Sequence, residues 1–179
     1  CEQSLIDSLE VRAQDSLFSN LPYSRSLLRN AMRQAQDSMS YYRLMGLYGK
    51  TFFISSDFDS ILYYNRPVKE YDKRAAACPR WNDVLSDVYN IEGNVWMQLN
   101  QPDSAVAYYE KSYAYRLKGE KGHLLSDICM NLADAHLHRG ELAHTASYYR
   151  RALFICDSLH LSEHSKFPVY CGLGQTYMD

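Results

Sequence analysis

A chain of 179 residues, 46% hydrophobic and 22% charged, has the length and apolar content to bury a core as one domain or one linear array. Its formal net charge of −2 and pI near 6.3 argue against a duplex DNA binder, which normally shows a basic face to phosphates. No apolar stretch approaches the ~18 residues of a bilayer-crossing helix. Sixteen tyrosines, many in adjacent pairs, suit helix faces that pack a ring while keeping its hydroxyl wet.

The chain starts at Cys1 and not at methionine, which is read as the loss of something upstream. Two origins stay open: an arbitrary cut, or the lipid-bearing cysteine at which a mature bacterial lipoprotein begins. In the second case Cys1 would tether the chain to a membrane. The other cysteines form no C-x-x-C pair, and the odd total of five argues against a disulfide framework or a zinc ribbon. Cys129 and Cys171 fall among apolar helix residues, where a small buried hydrophobe is expected.

Residues 1–37 read as a helix pair, a degenerate repeat or cap. Leu5, Leu9 and Leu17 mark the first helix; Leu27, Leu28 and Met32 mark the second, after a turn at Leu21-Pro22. Residues 38–179 read as an array with units at about 38–78, 80–121, 122–162 and a truncated 163–179. In the first of these units Pro67 lies inside the second helix and is expected to kink or restart it. Pro79, Pro102 and Pro168 fall where helices should begin. Val84, Val88, Ile91, Val95 and Leu99 recur at helical spacing, as do Leu125, Ile128, Leu132 and Ala135 one unit later. Asn100-Gln101-Pro102-Asp103 and Arg139-Gly140-Glu141 are turn signals.

The units are related by shifts of 40 to 44 residues. A shift of 40 sets Ser86-Asp87 on Ser126-Asp127, Gly93 on Ala133, Trp96 on His136 and Tyr108-Tyr109 on Tyr148-Tyr149. Upstream, a shift of 44 sets Gly49 and Phe52 on Gly93 and Trp96. The unit is therefore a first helix, a short turn, a second helix and a longer turn, giving an all-α chain of eight or nine helices.

Tyr89, Gly93, Trp96, Ala105, Tyr109 and Ser112, with Leu173, Gly174 and Tyr177 in the last copy, resemble the signature of the tetratricopeptide repeat. The resemblance covers about residues 38–179 and implies a right-handed α-solenoid of antiparallel helix pairs. Small residues such as Gly93 and Ala105 would let the paired helices approach, and the aromatics would fill the gap between units. The period is longer than the family's 34, and His136 and Thr145 replace the usual aromatic and alanine.

Candidate chemistry is sparse. His160-Leu161-Ser162-Glu163-His164 matches the letters of an inverted zinc-peptidase motif, but it lies in a turn between units and the only acid after it is Asp179. His136 and His138, two apart on a helix, point to different faces. Neither a Gly-rich phosphate loop nor a nucleophile elbow occurs, so no enzyme activity, cofactor or metal is expected.

The family resemblance implies a ligand groove along the first helix of each pair. In the first full unit it would be lined by Arg43, Gly46 and Lys50, in the next by Asp87, Asn90, Asn94 and Gln98. The third would supply Asp127, Asp134 and His138, and the last Cys171, Gln175 and Met178. Asn90, Asn94 and Gln98 share one helix face and suit an extended peptide backbone. With only Arg43 and Lys50 beside three aspartates, the lining does not suit an acidic C-terminal peptide.

The expected function is a non-catalytic scaffold for a protein or peptide partner, with no direct nucleic-acid contact by this region. The chain stops just inside a further first helix, which is read as a fragment. Its texture, including the D-S-A-x-x-Y-Y run at 103–109, resembles the input regions of membrane-anchored bacterial regulators and histidine kinases. That implies an extracytoplasmic, membrane-anchored location over a cytoplasmic one. A free-standing adaptor and a ligand-binding lipoprotein remain alternatives.

Overall fold

The structure is a computed structural model and describes residues 2–75 and 78–176. All regular structure among these residues is helical: α1 (Glu2–Asp15), α2 (Leu21–Gln34), α3 (Ser38–Lys50), α4 (Phe58–Ala75), α5 (Pro79–Gln98), α6 (Pro102–Arg116), α7 (Leu125–His138), α8 (Leu142–Ser158) and α9 (Glu163–Thr176). Short 3-10 turns at Thr51–Phe53 and Gly122–Leu124 border α3 and α7. The chain divides into two compact units, Cys1–Val88 and Tyr89–Asp179. Within each, helices adjacent in sequence pack on each other. Where the connecting turn has only three residues, as between α7 and α8, packed neighbours must run antiparallel.

The turns explain why the helices stop where they do. After α3, α5 and α7 the chain makes the same reversal, with one residue in the left-handed region: Ser56 (φ 52°), Asn100 (φ 55°) and Gly140 (φ 74°). At each, that residue's N–H reaches back three residues and the next residue's N–H reaches back five, as Asn100 to Met97 (2.9 Å) and Gln101 to Trp96 (2.9 Å). This double bond satisfies carbonyls that the helix end leaves open. The three turn residues are spaced by the same 44 and 40 residues as the sequence repeat. His160 (φ 52°) closes α8 in the same way. Side-chain caps open other helices: Asn20 accepts from Tyr23 N–H (3.1 Å) before α2, and Asp37 accepts from Ser40 N–H (2.8 Å) before α3.

In the first unit the core joins Ile6, Leu9 and Ala13 of α1 to Leu27, Leu28 and Ala31 of α2 and to Leu44 and Tyr48 of α3. Arg25 of α2 lies over the Phe52 ring (4.0 Å) and donates to the Thr51 hydroxyl (3.0 Å), fixing the turn that precedes α4. In the second unit Ala105, Val106 and Tyr109 of α6 meet Ile128, Leu132 and Ala135 of α7. On its other side α7 uses Cys129 and Ala133 against Tyr149 and Ala152 of α8 and Val169 of α9.

Aromatic contacts repeat as the turns do. Phe52 stacks with Tyr64 (centroids 5.5 Å), Trp96 tilts on Tyr108 (6.0 Å) and His136 stacks with Tyr148 (5.3 Å). Each pair ties the end of a first helix to the middle of the second. Gly93 and Gly49 occupy equivalent points of close approach, one beneath the Tyr109 ring and the other against Tyr64 and Asn65.

Several sequence expectations need correction. The buried stripe of α1 is Ile6, Leu9 and Ala13, while Leu5 is 48% exposed and Leu17 falls beyond the helix end. Leu99 is exposed as well. Helix α4 runs through Pro67 without restarting. The carbonyl that loses its partner there belongs to Tyr63. Pro168 lies inside α9 and not at its start. Cys171 is exposed, whereas Cys129 is fully buried. A Cβ on Gly174 would meet nothing within 4 Å; the close approach in α9 is at Gly172, beneath Tyr149. Cys1, Tyr177 and Met178 lie outside the described residues.

Candidate functional site

In the first unit the starts of α1, α3 and α5 enclose a pocket of about 200 Å³ lined by Asp7, Met39, Ser40, Arg43, Arg80, Trp81 and Val84. That volume is below the ~300–1,000 Å³ typical of drug-sized ligands and suits one side chain or a small polar group. Trp81 is fully buried, and its Nε1–H has no acceptor among the described residues. Arg43 pairs with Asp7 (3.3 Å) and, more closely, with Glu10. Two carboxylates from α1 thus offset the guanidinium that the sequence assigns to ligand binding. Gly46 is buried, a Cβ there coming within 3.3 Å of Val88, so it serves helix packing and lines no groove. Lys50, at the end of α3, is exposed.

In the second unit the first helices α5 and α7 meet directly: Asn131 Nδ2 donates to Asn90 Oδ1 (3.0 Å). One turn further, Asn94 Oδ1 accepts from the Tyr109 hydroxyl (2.7 Å), and Asp134 accepts a short hydrogen bond from Tyr149. These two bonds are equivalent under the 40-residue shift. Burial raises the phenol pKa of both tyrosines, and the Asp134 carboxylate beside them raises it further. Asn94 and Asp134, placed in the groove lining by the family resemblance, each commit one oxygen to holding a buried tyrosine. Asp87 is half-buried, and Gln98 and His138 are exposed near the ends of their helices. Asp127, at the start of α7, reaches water, yet desolvation by its surroundings raises its pKa against the opposing pull of His123 and Arg116.

A third grouping was not anticipated. His136 Nδ1 lies 2.6 Å from Glu141 Oε2, and His144 Nδ1 lies 4.0 Å from the same oxygen. The His136 and His144 rings stack at 5.0 Å. Arg139 holds the other carboxylate oxygen of Glu141 (2.9 Å) and is itself held by Asp103 (3.0 Å). These charges keep the Glu141 pKa below its ordinary value, the hydrogen bond from His136 being the main cause. The one signal in the sequence was the shift that sets Trp96 on His136, extended to the turn residues that follow.

Among the described residues, the His160–His164 segment makes no comparable cluster. His160 is the left-handed turn residue after α8, and Glu163 pairs with Lys166 (2.8 Å). Burial pushes the Cys129 thiol up to about 11, which keeps it protonated and unreactive at neutral pH.

No family model matches the chain, and no curated protein matches it in sequence. Its fold is similar to that in the crystal structure of BtubC (BKLC) from P. vanneervenii, with a TM-score of 0.67 and 14% sequence identity. The likeness covers 89% of this chain and 66% of that one, so this chain spans just under two thirds of BtubC's length.

Proposed function

We propose that the chain is a right-handed, tetratricopeptide-like solenoid that binds an extended protein segment along its first helices, without catalysis. The observation that carries this reading is the amide pair joining α5 to α7. With Asn131 Nδ2 donating to Asn90 Oδ1, the Asn90 amide keeps its donors and Asn131 keeps an acceptor oxygen. A half-buried donor beside a half-buried acceptor matches the N–H and C=O of a peptide unit. Gln98 and His138 extend the same two helices with exposed polar groups. The pairing of Arg43 with Asp7 and Glu10 argues against an acidic peptide as the ligand.

Selection from a random peptide-display library tests this directly. Selected peptides should bind the wild-type chain and lose at least about tenfold in affinity, equivalent to about 1.4 kcal/mol, against an Asn90→Ala/Asn131→Ala variant with unchanged helicity. Failure to enrich any peptide, or equal binding to the variant, would refute the reading.

We infer further that this region serves as the input module of a membrane-anchored bacterial signalling or transcriptional regulator. Its support is the tyrosine-rich repeat texture, including the D-S-A-x-x-Y-Y run at 103–109. A native product found in the membrane fraction at a mass well above 20.8 kDa is the expected result; a soluble species of about that mass would leave a free adaptor.

A further inference from the structure

We propose that His136, Glu141 and His144 form a binding site for one first-row divalent transition ion, with Zn²⁺ as the reference case. The three donors come from nine consecutive residues that wrap the turn between α7 and α8, and their ligand atoms all lie within 4.8 Å of one another. Two imidazoles and one carboxylate make a donor set suited to Zn²⁺, Co²⁺, Ni²⁺ or Cu²⁺ and poorly suited to Mg²⁺ or Ca²⁺.

The internal repeat shows how far this nook departs from its equivalents. Forty residues earlier the same three positions hold Trp96, Gln101 and Ser104; a further 44 earlier they hold Phe52, Asp57 and Ser60. There the first position carries a ring that packs on a tyrosine. At His136 the packing on Tyr148 is kept while the ring gains a ligating nitrogen, and both turn partners change to groups that can join it. Helix packing alone needs only the ring.

The surroundings are prepared for an ion. His136 is 6% exposed and stacked with Tyr148, so its Nδ1 has a fixed direction. Arg139, braced by Asp103, holds Glu141 Oε1 and leaves Oε2 to face both histidines. Such outer partners orient metal-ligating carboxylates. An ion ~2.0–2.2 Å from each donor requires donor separations of roughly 3–3.6 Å. The 2.6 Å His136–Glu141 contact must open slightly and the 4.0 Å Glu141–His144 gap must close slightly. His144, its side chain 67% exposed in the first turn of α8, is free to swing. On binding, exchange with water moves the His136 proton from Nδ1 to Nε2, so the ring stays neutral and the Nδ1 lone pair meets the ion, and the fourth position stays open to water.

The test uses the full, untagged chain with Co²⁺ as a spectroscopic probe and Zn²⁺ in thermal unfolding. One equivalent of Co²⁺ should give weak visible bands without a sulfur-to-cobalt charge-transfer band, and Zn²⁺ should raise Tm by linkage. His144→Ala alters an exposed side chain and should weaken Co²⁺ binding at least about tenfold. His164→Ala should leave it unchanged. A charge-transfer band would place the ion on cysteine thiolates and overturn the proposal. So would an absence of binding, or undiminished binding by His144→Ala.

Discussion

Gly93 of α5 lies directly beneath the ring of Tyr109 in α6: a Cβ on Gly93 would stand 2.4 Å from Tyr109 Cε1. Tyr109 cannot withdraw cheaply, since it is 2% exposed and its hydroxyl is bonded to Asn94. Gly93→Ala should therefore destabilise the chain by about 1–3 kcal/mol, as overpacking does. Gly172→Ala, whose Cβ would come within 2.1 Å of Tyr149 Cζ, should behave alike, while Gly174→Ala should cost little. Urea unfolding midpoints at constant m-value measure all three.

The left-handed turn residues give a second, opposed pair of expectations. Gly140 sits at φ 74°, where a side chain is strained, so Gly140→Ala should cost about 1–2 kcal/mol although nothing crowds the site. Asn100→Gly, at φ 55°, removes that strain and should be neutral or mildly stabilising. The same unfolding curves compare them.

Three carboxylates carry the acid limb of the stability profile. Asp37 and Asp57 are held below their ordinary value of 3.8 by bonds from Ser40 and Ser60, and Glu141 below 4.5 chiefly by the bond from His136. A carboxyl whose folded pKa is depressed contributes stability above its ordinary pKa and loses it as pH falls through the folded value. Stability should thus decline from about pH 4.5 downward. Asp37→Ala, which removes the cap of α3, should cost about 1 kcal/mol at neutral pH and flatten that decline.

Lys166 acts at the other end of the pH scale. Bonds to Glu163 and Asp157 raise its pKa above the ordinary 10.5. A raised ammonium contributes fully below its ordinary value and loses that contribution as pH climbs through the raised one. Lys166→Met should lose that contribution at neutral pH and weaken the pH dependence above 10.5, as followed by circular dichroism.

The helical periods and the 40- and 44-residue shifts were legible in the sequence because turn, ring pair and close approach recur together, as at Trp96–Tyr108 and Gly93–Tyr109. Absolute phase was not: a leucine period fits α1 with Leu5 inside or outside, and only packing on α2 selects Ile6. Pro168 misled because a proline reads as a helix start, whereas α9 carries it inside. Asn94 and Asp134 read as free groove residues because the tyrosines that bond them lie fifteen residues away, across a helix hairpin. His144 carried no motif at all; its partners are set by the turn.

Photo-cross-linking in the native cell tests the central claim most directly. A photoreactive side chain at Gln98 or His138, exposed on α5 and α7, should capture one and the same protein partner. The same group at Tyr63 or Phe154, exposed on the second helices α4 and α8, should capture none. Capture at Tyr63 or Phe154 with none at Gln98 and His138 would contradict binding along the first helices.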